Sequence, residues 1–395
     1  MSSSASEFLN AIDRRHSREQ SVVLRYRNCL RFEESSADDE DFKRLLDRTS
    51  IREGLRIFPL LTYRDVEILV LDETSLMLTH TLKSIDGAVT IARSLQRGYR
   101  RVAFESGGNT GTALSVYGRR VGLETFLVVP GENLSLLDSA AFEAPTTHLI
   151  AVRDRERVKQ VAGELRKRER LPKVPQPEWR LEASMFIGSY LLEAMLEGLQ
   201  FDILAQTISA AFAPIGIFRV LCEHQAELGR LPGFLGVQQA PNCPMYRALR
   251  GAETGSGARE GESEVRSSGR LLTRVMYDSS PQSYGTVDAL RGVLDDTGGD
   301  LTLVDSADFR RLLEEDFDGA GILSVLGKAG VNIFVRDGEI VETTGLLALT
   351  GALKEIDAGR ITAGSRVLVC LTSGTGRPDG AVVPEVWAED WVAEG

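Results

Sequence analysis

Residues 101–111 read Arg101-Val102-Ala103-Phe104-Glu105-Ser106-Gly107-Gly108-Asn109-Thr110-Gly111. A short apolar run enters a glycine-rich turn, and a helix candidate follows from Thr110 to Gly122. That is how a parallel strand passes into its crossover helix. The same texture recurs outward in both directions. Glu67-Ile68-Leu69-Val70-Leu71, Thr125-Phe126-Leu127-Val128-Val129-Pro130, His148-Leu149-Ile150-Ala151-Val152, Phe234-Leu235-Gly236-Val237-Gln238 and Val367-Leu368-Val369-Cys370-Leu371 are further strand candidates, with a charged helix candidate at 154–169. Strands apolar on both faces and spaced by helices predict parallel sheets flanked by helices, an α/β protein.

The remaining composition sets bounds. A chain of 395 residues has room for two or three domains. Hydrophobic residues make up 43% and charged residues 26%, enough for a sizeable core. A net charge of −11 argues against a broad nucleic-acid-binding face and gives no attraction to an anionic membrane. Cys29, Cys222, Cys243 and Cys370 are scattered without a CxxC pair, so no metal site and no disulfide framework is indicated. The start, Met1 to Glu7, lacks the features of a signal peptide, and no apolar run reaches membrane-spanning length. The expectation is a cytoplasmic protein. Residues 1–45 look polar, and Glu33 to Asp41 reads as a solvated acidic surface or a disordered segment. Gly251 through Gly269 carries almost nothing apolar and reads as a flexible loop or insertion; a lid over an active site is the sharper alternative.

Three segments carry chemistry. In Ser106 to Gly111, glycines let the backbone approach a ligand, the helix start offers N–H groups to an anion, and Ser106, Asn109 and Thr110 add side-chain donors. A tight strand–helix turn with no ligand is the bland alternative. Lys83 stands in Thr81-Leu82-Lys83-Ser84-Ile85-Asp86-Gly87, near a helix start. It is either a solvated helix lysine or one whose desolvation prepares it for Schiff-base chemistry. Leu371-Thr372-Ser373-Gly374-Thr375-Gly376 runs directly out of a strand; a simple strand-end turn is the bland reading.

Strand–Asp72–Glu73, then Lys83, then the Ser106–Gly111 turn, then a late strand entering Gly374-Thr375-Gly376, resembles the order in fold-type II pyridoxal phosphate (PLP) enzymes of the tryptophan synthase beta-like class. Pro214-Ile215-Gly216-Ile217, Gly236-Val237-Gln238, Pro244 to Ala248, Tyr284-Gly285 to Asp305, and Glu342-Thr343-Thr344-Gly345 fall where the threonine synthase / cysteate synthase branch places related segments. The likeness spans about residues 60–390. It implies two α/β domains with PLP between them: a large domain of 46–98 and 181–395, and a small mobile domain of 99–180. It implies that Lys83 carries PLP as a Schiff base and shuttles the α-proton, and that Asn109 bonds the cofactor's 3′-oxygen. Ser106, Gly107, Gly108 and Thr110 would hold the substrate carboxylate. Ser209, Ala211, Ala213 and Gly216 would line the phosphate loop. Ser373 would face the pyridine nitrogen and leave it largely neutral.

Two departures shape the expectation. Ser209, Ala211 and Ala213 stand where the family's phosphate loop has glycines, and Ser-Ile-Asp follows Lys83 in place of an Asp-Arg pair. A methyl restricts φ and crowds a phosphate, which predicts weaker cofactor binding. The chain therefore reads as a specialised paralogue performing β- or γ-replacement or elimination on an O-activated amino acid, of the O-phosphoserine or O-phosphohomoserine type. Its partners would be that small amino acid and a small nucleophile, and its state a homodimer. The alternatives are another PLP reaction on this fold, such as cyclisation or deamination, or a non-catalytic PLP-fold binding protein.

Overall fold

The computed structural model describes residues 4–30, 32, 36–253, 270–376 and 382–393. In chain order its strands are β1 (Arg56–Tyr63), β2 (Val66–Asp72), β3 (Arg101–Glu105), β4 (Glu124–Pro130), β5 (Thr147–Val152), β6 (Ile203–Thr207), β7 (Gly233–Gln239), β8 (Asp300–Val304), the hairpin β9 (Val335–Arg336) and β10 (Glu339–Ile340), β11 (Arg366–Leu371) and β12 (Val386–Trp387). Six of them form one sheet in the order β1-β2-β11-β6-β7-β8, and four form another in the order β12-β5-β4-β3. Only β1 runs antiparallel to its neighbour within these two sheets.

The side-chain period of two explains why β2 is apolar throughout. Leu69 and Leu71 point into a core shared with the helix Lys83–Gln96, whereas Ile68 and Val70 point into a second core beneath the helix Thr344–Asp357. Both faces are covered, so polar residues have no place on either. The missed strand β1 hides behind Pro59. It is an edge strand whose register slips between Pro59 and Leu61, where a residue without an N–H is tolerated.

Two features differ from the polar-extension reading and from the expected boundaries. Residues 1–45 contain the helices Ala5–Ala11 and Val22–Tyr26 and the start of Ser36–Thr49, and Phe8, Val22, Val23, Tyr26 and Phe42 are buried in the main core. Apolar residues at helical spacing are diluted there by charges that serve a purpose. Arg18 and Arg25 reach Glu193 at 2.8 and 2.6 Å, and Tyr26 donates to the same carboxylate at 2.5 Å. The second difference lies at the C-terminus, where β12 pairs with β5 and so adds residues 386–387 to the smaller sheet. Of the glycine- and charge-rich stretch 251–269, residues 254–269 lie outside the described residues.

The C-terminal ends of β2, β6 and β11, neighbours in the large sheet, and of β3 in the small one lead directly into Glu73, Ile208, Thr372 and Ser106. Ligands of open parallel sheets gather at such ends.

Candidate active site

A cavity of about 230 Å³ opens where these ends meet. Lys83, Ser106, Gly107, Asn109, Thr110, Ser209, Ala211, Ala213 and Ser373 line it. Residues up to 290 positions apart in the chain are thus brought to one place. Gly108 and Gly216 are not among the lining residues.

Lys83 opens the helix Lys83–Gln96. Its N–H donates to Thr81 Oγ1 at 2.9 Å, and Leu82 N–H donates to the Thr372 carbonyl at 3.2 Å, which ties the helix start to the end of β11. The side chain retains 21% exposure and lines the cavity, and Nζ lies 2.8 Å from Asp86 Oδ2. Depth within the protein lowers the lysine's pKa, with Asp86 pulling the other way.

The turn after β3 is held by its own serine. Ser106 Oγ accepts from Gly108 N–H at 3.1 Å and Gly111 N–H at 2.9 Å. Gly108 has φ +149°, a conformation side chains resist, and it precedes the helix Asn109–Arg120 without a side-chain cap. Gly108 therefore shapes the turn rather than lining the cavity. Gly107 is required for a different close approach than expected: a Cβ there would lie 2.5 Å from the Val275 carbonyl.

The turn after β6 is built otherwise. Ala211 adopts φ +60°, the left-handed conformation, and precedes the uncapped helix Phe212–Glu223. The backbone shape of a glycine loop is thus kept with an alanine. Ala213 sits inside the helix, and Gly216 faces the helix Pro177–Leu196, where a Cβ would come within 2.5 Å of Ser184 Cβ. Gly216 is a helix-packing glycine, not a lining residue, which corrects its assignment to the phosphate loop. Ser209 Oγ spends its hydrogen on the Met276 carbonyl at 3.4 Å.

Ser373 is buried, and its hydroxyl donates to the Glu342 carboxylate, which also accepts from Thr344 N–H at 2.7 Å. The serine therefore offers the cavity an acceptor lone pair.

Four lining or adjacent residues went unassigned in the sequence. Arg180, in the first turn of Pro177–Leu196, lays its guanidinium over the Phe212 ring at 4.5 Å. Its Nε is buried without a hydrogen-bond partner, and no carboxylate among the described residues pairs with it. Glu73, Gln206 and Thr372 place buried, unpartnered oxygens and nitrogens at the ends of the three neighbouring strands. Gln206 announces itself in hindsight as the one strongly polar residue inside Ile203-Leu204-Ala205-Gln206-Thr207. Arg180 has no comparable signal.

Taken together, the cavity offers a desolvated amine, a helix start at Asn109 whose Gly108 and Gly111 N–H groups are taken by Ser106, a second helix start at Phe212 with no side-chain cap, a guanidinium without a carboxylate partner, and a hydroxyl acceptor at the end of β11. That donor set fits a ligand with an aldehyde, an aromatic ring and a phosphate. No family model and no curated protein matches the sequence. Solved structures do match. A threonine deaminase from T.th. superposes with TM-score 0.56 at 17% identity, covering 86% of this chain and 99% of that one. A pyridoxal 5'-phosphate-dependent aspartate racemase gives 0.57 at 14%, covering 88% and 98%. Diaminopropionate ammonia lyase from Escherichia coli, in complex with an aminoacrylate-PLP azomethine intermediate, gives 0.59 at 14%, covering 92% and 93%. The fold is that of fold-type II PLP enzymes. Identities this low establish the architecture and leave the chemistry to be argued from the cavity. Among the described residues no helix is long and apolar enough to cross a membrane, and no cluster of His, Cys, Asp and Glu could hold a metal.

Proposed function

We propose that this chain is a PLP-dependent enzyme of the threonine synthase / cysteate synthase type, catalysing elimination or replacement at the β- or γ-carbon of an amino acid that carries an O-linked phosphate. The observation that carries the reading is the pairing, in one cavity, of the Lys83 amine with the unpaired Arg180 guanidinium. PLP, when bound, supplies the electron sink that makes an α-proton removable.

The chain's own residues divide the remaining work. The N–H groups of Gly107, Asn109 and Thr110, those of the turn not taken up by Ser106 Oγ or the Val128 carbonyl, hold the substrate carboxylate, because a helix start attracts an anion. Lys83 Nζ, once deprotonated, takes the proton from the α-carbon and returns it there or to the departing group. The N–H groups at Ala211–Ala213 hold the cofactor phosphate. Arg180 receives the substrate's phosphate as it leaves, in a geometry that a planar guanidinium favours. The order of the sequence segments supports the branch, and the α/β architecture supports the cofactor.

The test is direct. The purified protein should absorb visible light, and adding O-phospho-L-serine or O-phospho-L-homoserine should change that absorption and release inorganic phosphate, whereas alanine should do neither. A colourless protein that takes up no PLP, or one that releases phosphate from neither compound, defeats the proposal.

A further inference from the structure

Lys83 is faced by three charged or titratable groups from three elements. Asp86 lies one turn along its own helix, with Oδ2 2.8 Å from Nζ, and is 3% exposed, so the pair is buried. Glu73, just past β2, is fully buried, and neither of its carboxylate oxygens meets a hydrogen-bond donor in good geometry; the amide of Gln206 lies alongside, equally unpartnered. Arg180 approaches from the helix Pro177–Leu196. A carboxylate without donors is costly to ionise in the interior. Burial accordingly raises the pKa of Glu73 to about 8, against the pull of Lys83.

A reactive lysine must be aimed, which a charged partner does well, yet it must lose its proton to act as nucleophile or base. Asp86 Oδ2, 2.8 Å from Nζ, holds the amine by charge and without hydrogen-bond geometry, and a buried counter-charge keeps the proton on the amine. A second, ionised carboxylate at Glu73 would hold that proton more tightly.

We propose that Asp86 is the positioning residue that aims the Lys83 amine through their buried ion pair and sets how readily that amine gives up its proton, while Glu73, buried without a donor, stays out of the pair. The inference rests on Lys83 being the reacting lysine of the proposed function.

The experiment reads Lys83 itself. The full chain, stripped of any cofactor with hydroxylamine, is labelled across a pH series with a trace of acetic anhydride, and acetylation of Lys83 is quantified by mass spectrometry. D86N should move the labelling midpoint down by about one to three pH units, the scale of a lost close counter-charge. D86E, which keeps a carboxylate, should fall between D86N and the wild type. The wild type should show an added inflection near pH 8 from Glu73, and E73Q should lack it while otherwise overlaying the wild-type curve. An unshifted midpoint in D86N overturns the proposal, as does an E73Q curve displaced as far as that of D86N. Should D86N fail to fold, D86E and E73Q decide the matter by the same criteria. Failure of the wild type to take up PLP would sink the functional reading yet leave this readout intact.

Discussion

The turn after β3 and the turn after β6 stand at equivalent places, each carrying a parallel strand into a helix with no side-chain cap. They are made differently. The first uses Gly108 at φ +149° and ties its N–H groups to Ser106 Oγ. The second uses Ala211 at φ +60° and surrounds itself with side chains: Phe212 packs edge-on against Tyr284 at 5.6 Å, and Arg180 covers the same ring at 4.5 Å. One turn is held by backbone and a serine, and the other has a guanidinium packed beside it. The difference teaches that a missing glycine signature does not mean a missing glycine conformation. The chain retains the left-handed turn at Ala211 and carries the strain.

The comparison breaks first at the glycine turn. In G107A/G108A, the first Cβ would meet the Val275 carbonyl at 2.5 Å and the second would be forced into a conformation reserved for glycine. The double variant should lose about 4 kcal/mol of stability, combining an overpacking cost with a backbone-strain cost. Urea unfolding measures it. A loss under about 1 kcal/mol would mean that the turn relaxes and that its shape is not imposed by these glycines.

Arg180 comes next. In R180M, removal of a charged phosphate contact worth about 1.5–3 kcal/mol should raise KM for an O-phosphorylated amino acid roughly tenfold to a hundredfold. PLP retention during dialysis should hold steady. If PLP is lost instead while KM stays put, Arg180 serves the turn after β6 rather than the substrate, and the leaving-group role falls.

How much of this could be read from the residues alone follows from the kind of signal each part leaves. Apolar runs at Glu67–Leu71, Arg101–Phe104, Thr125–Pro130 and Val367–Leu371 became strands within a residue or two of their ends, because a strand covered on both faces has no polar positions to blur it. The turn at 106–111 was legible because glycine spacing ahead of a helix is local, whereas Lys83 was singled out only by the order of segments that resembles fold-type II PLP enzymes. The layer formed by residues 4–49 was not, because its apolar residues only make sense once Arg18, Arg25 and Glu193 neutralise one another across 168 or more positions. Arg180 was invisible for the same reason, and Glu73 and Glu342 stood in the sequence only as members of segments, with no role of their own. Their meaning lies in what they face, and Ser373 changes character once Glu342 is seen to take its hydrogen.

The smallest effect sharpens the comparison most, because it separates two alanines that look alike in the sequence. Ala211 has φ +60°, where an L-residue's Cβ crowds the following carbonyl at a cost of about 1–2 kcal/mol. Ala213 is the second residue of the helix Phe212–Glu223, where alanine is the preferred residue. A211G relieves the strain, but the more flexible unfolded chain takes back about 0.4–1 kcal/mol. The net gain should be about 0.5 kcal/mol, and the amides at Ala211 and Phe212 come nearer to a bound phosphate once the methyl is gone. A213G has no strain to relieve and should cost about 0.5–1 kcal/mol. The two variants should therefore move in opposite directions in urea unfolding, and the double variant should sit near the wild type. PLP loss during dialysis should slow in A211G and not in A213G. Should A211G lose PLP faster, the turn has been fitted to its alanine, with Phe212 and Arg180 packed around that methyl, and glycine there would loosen the site it was meant to restore.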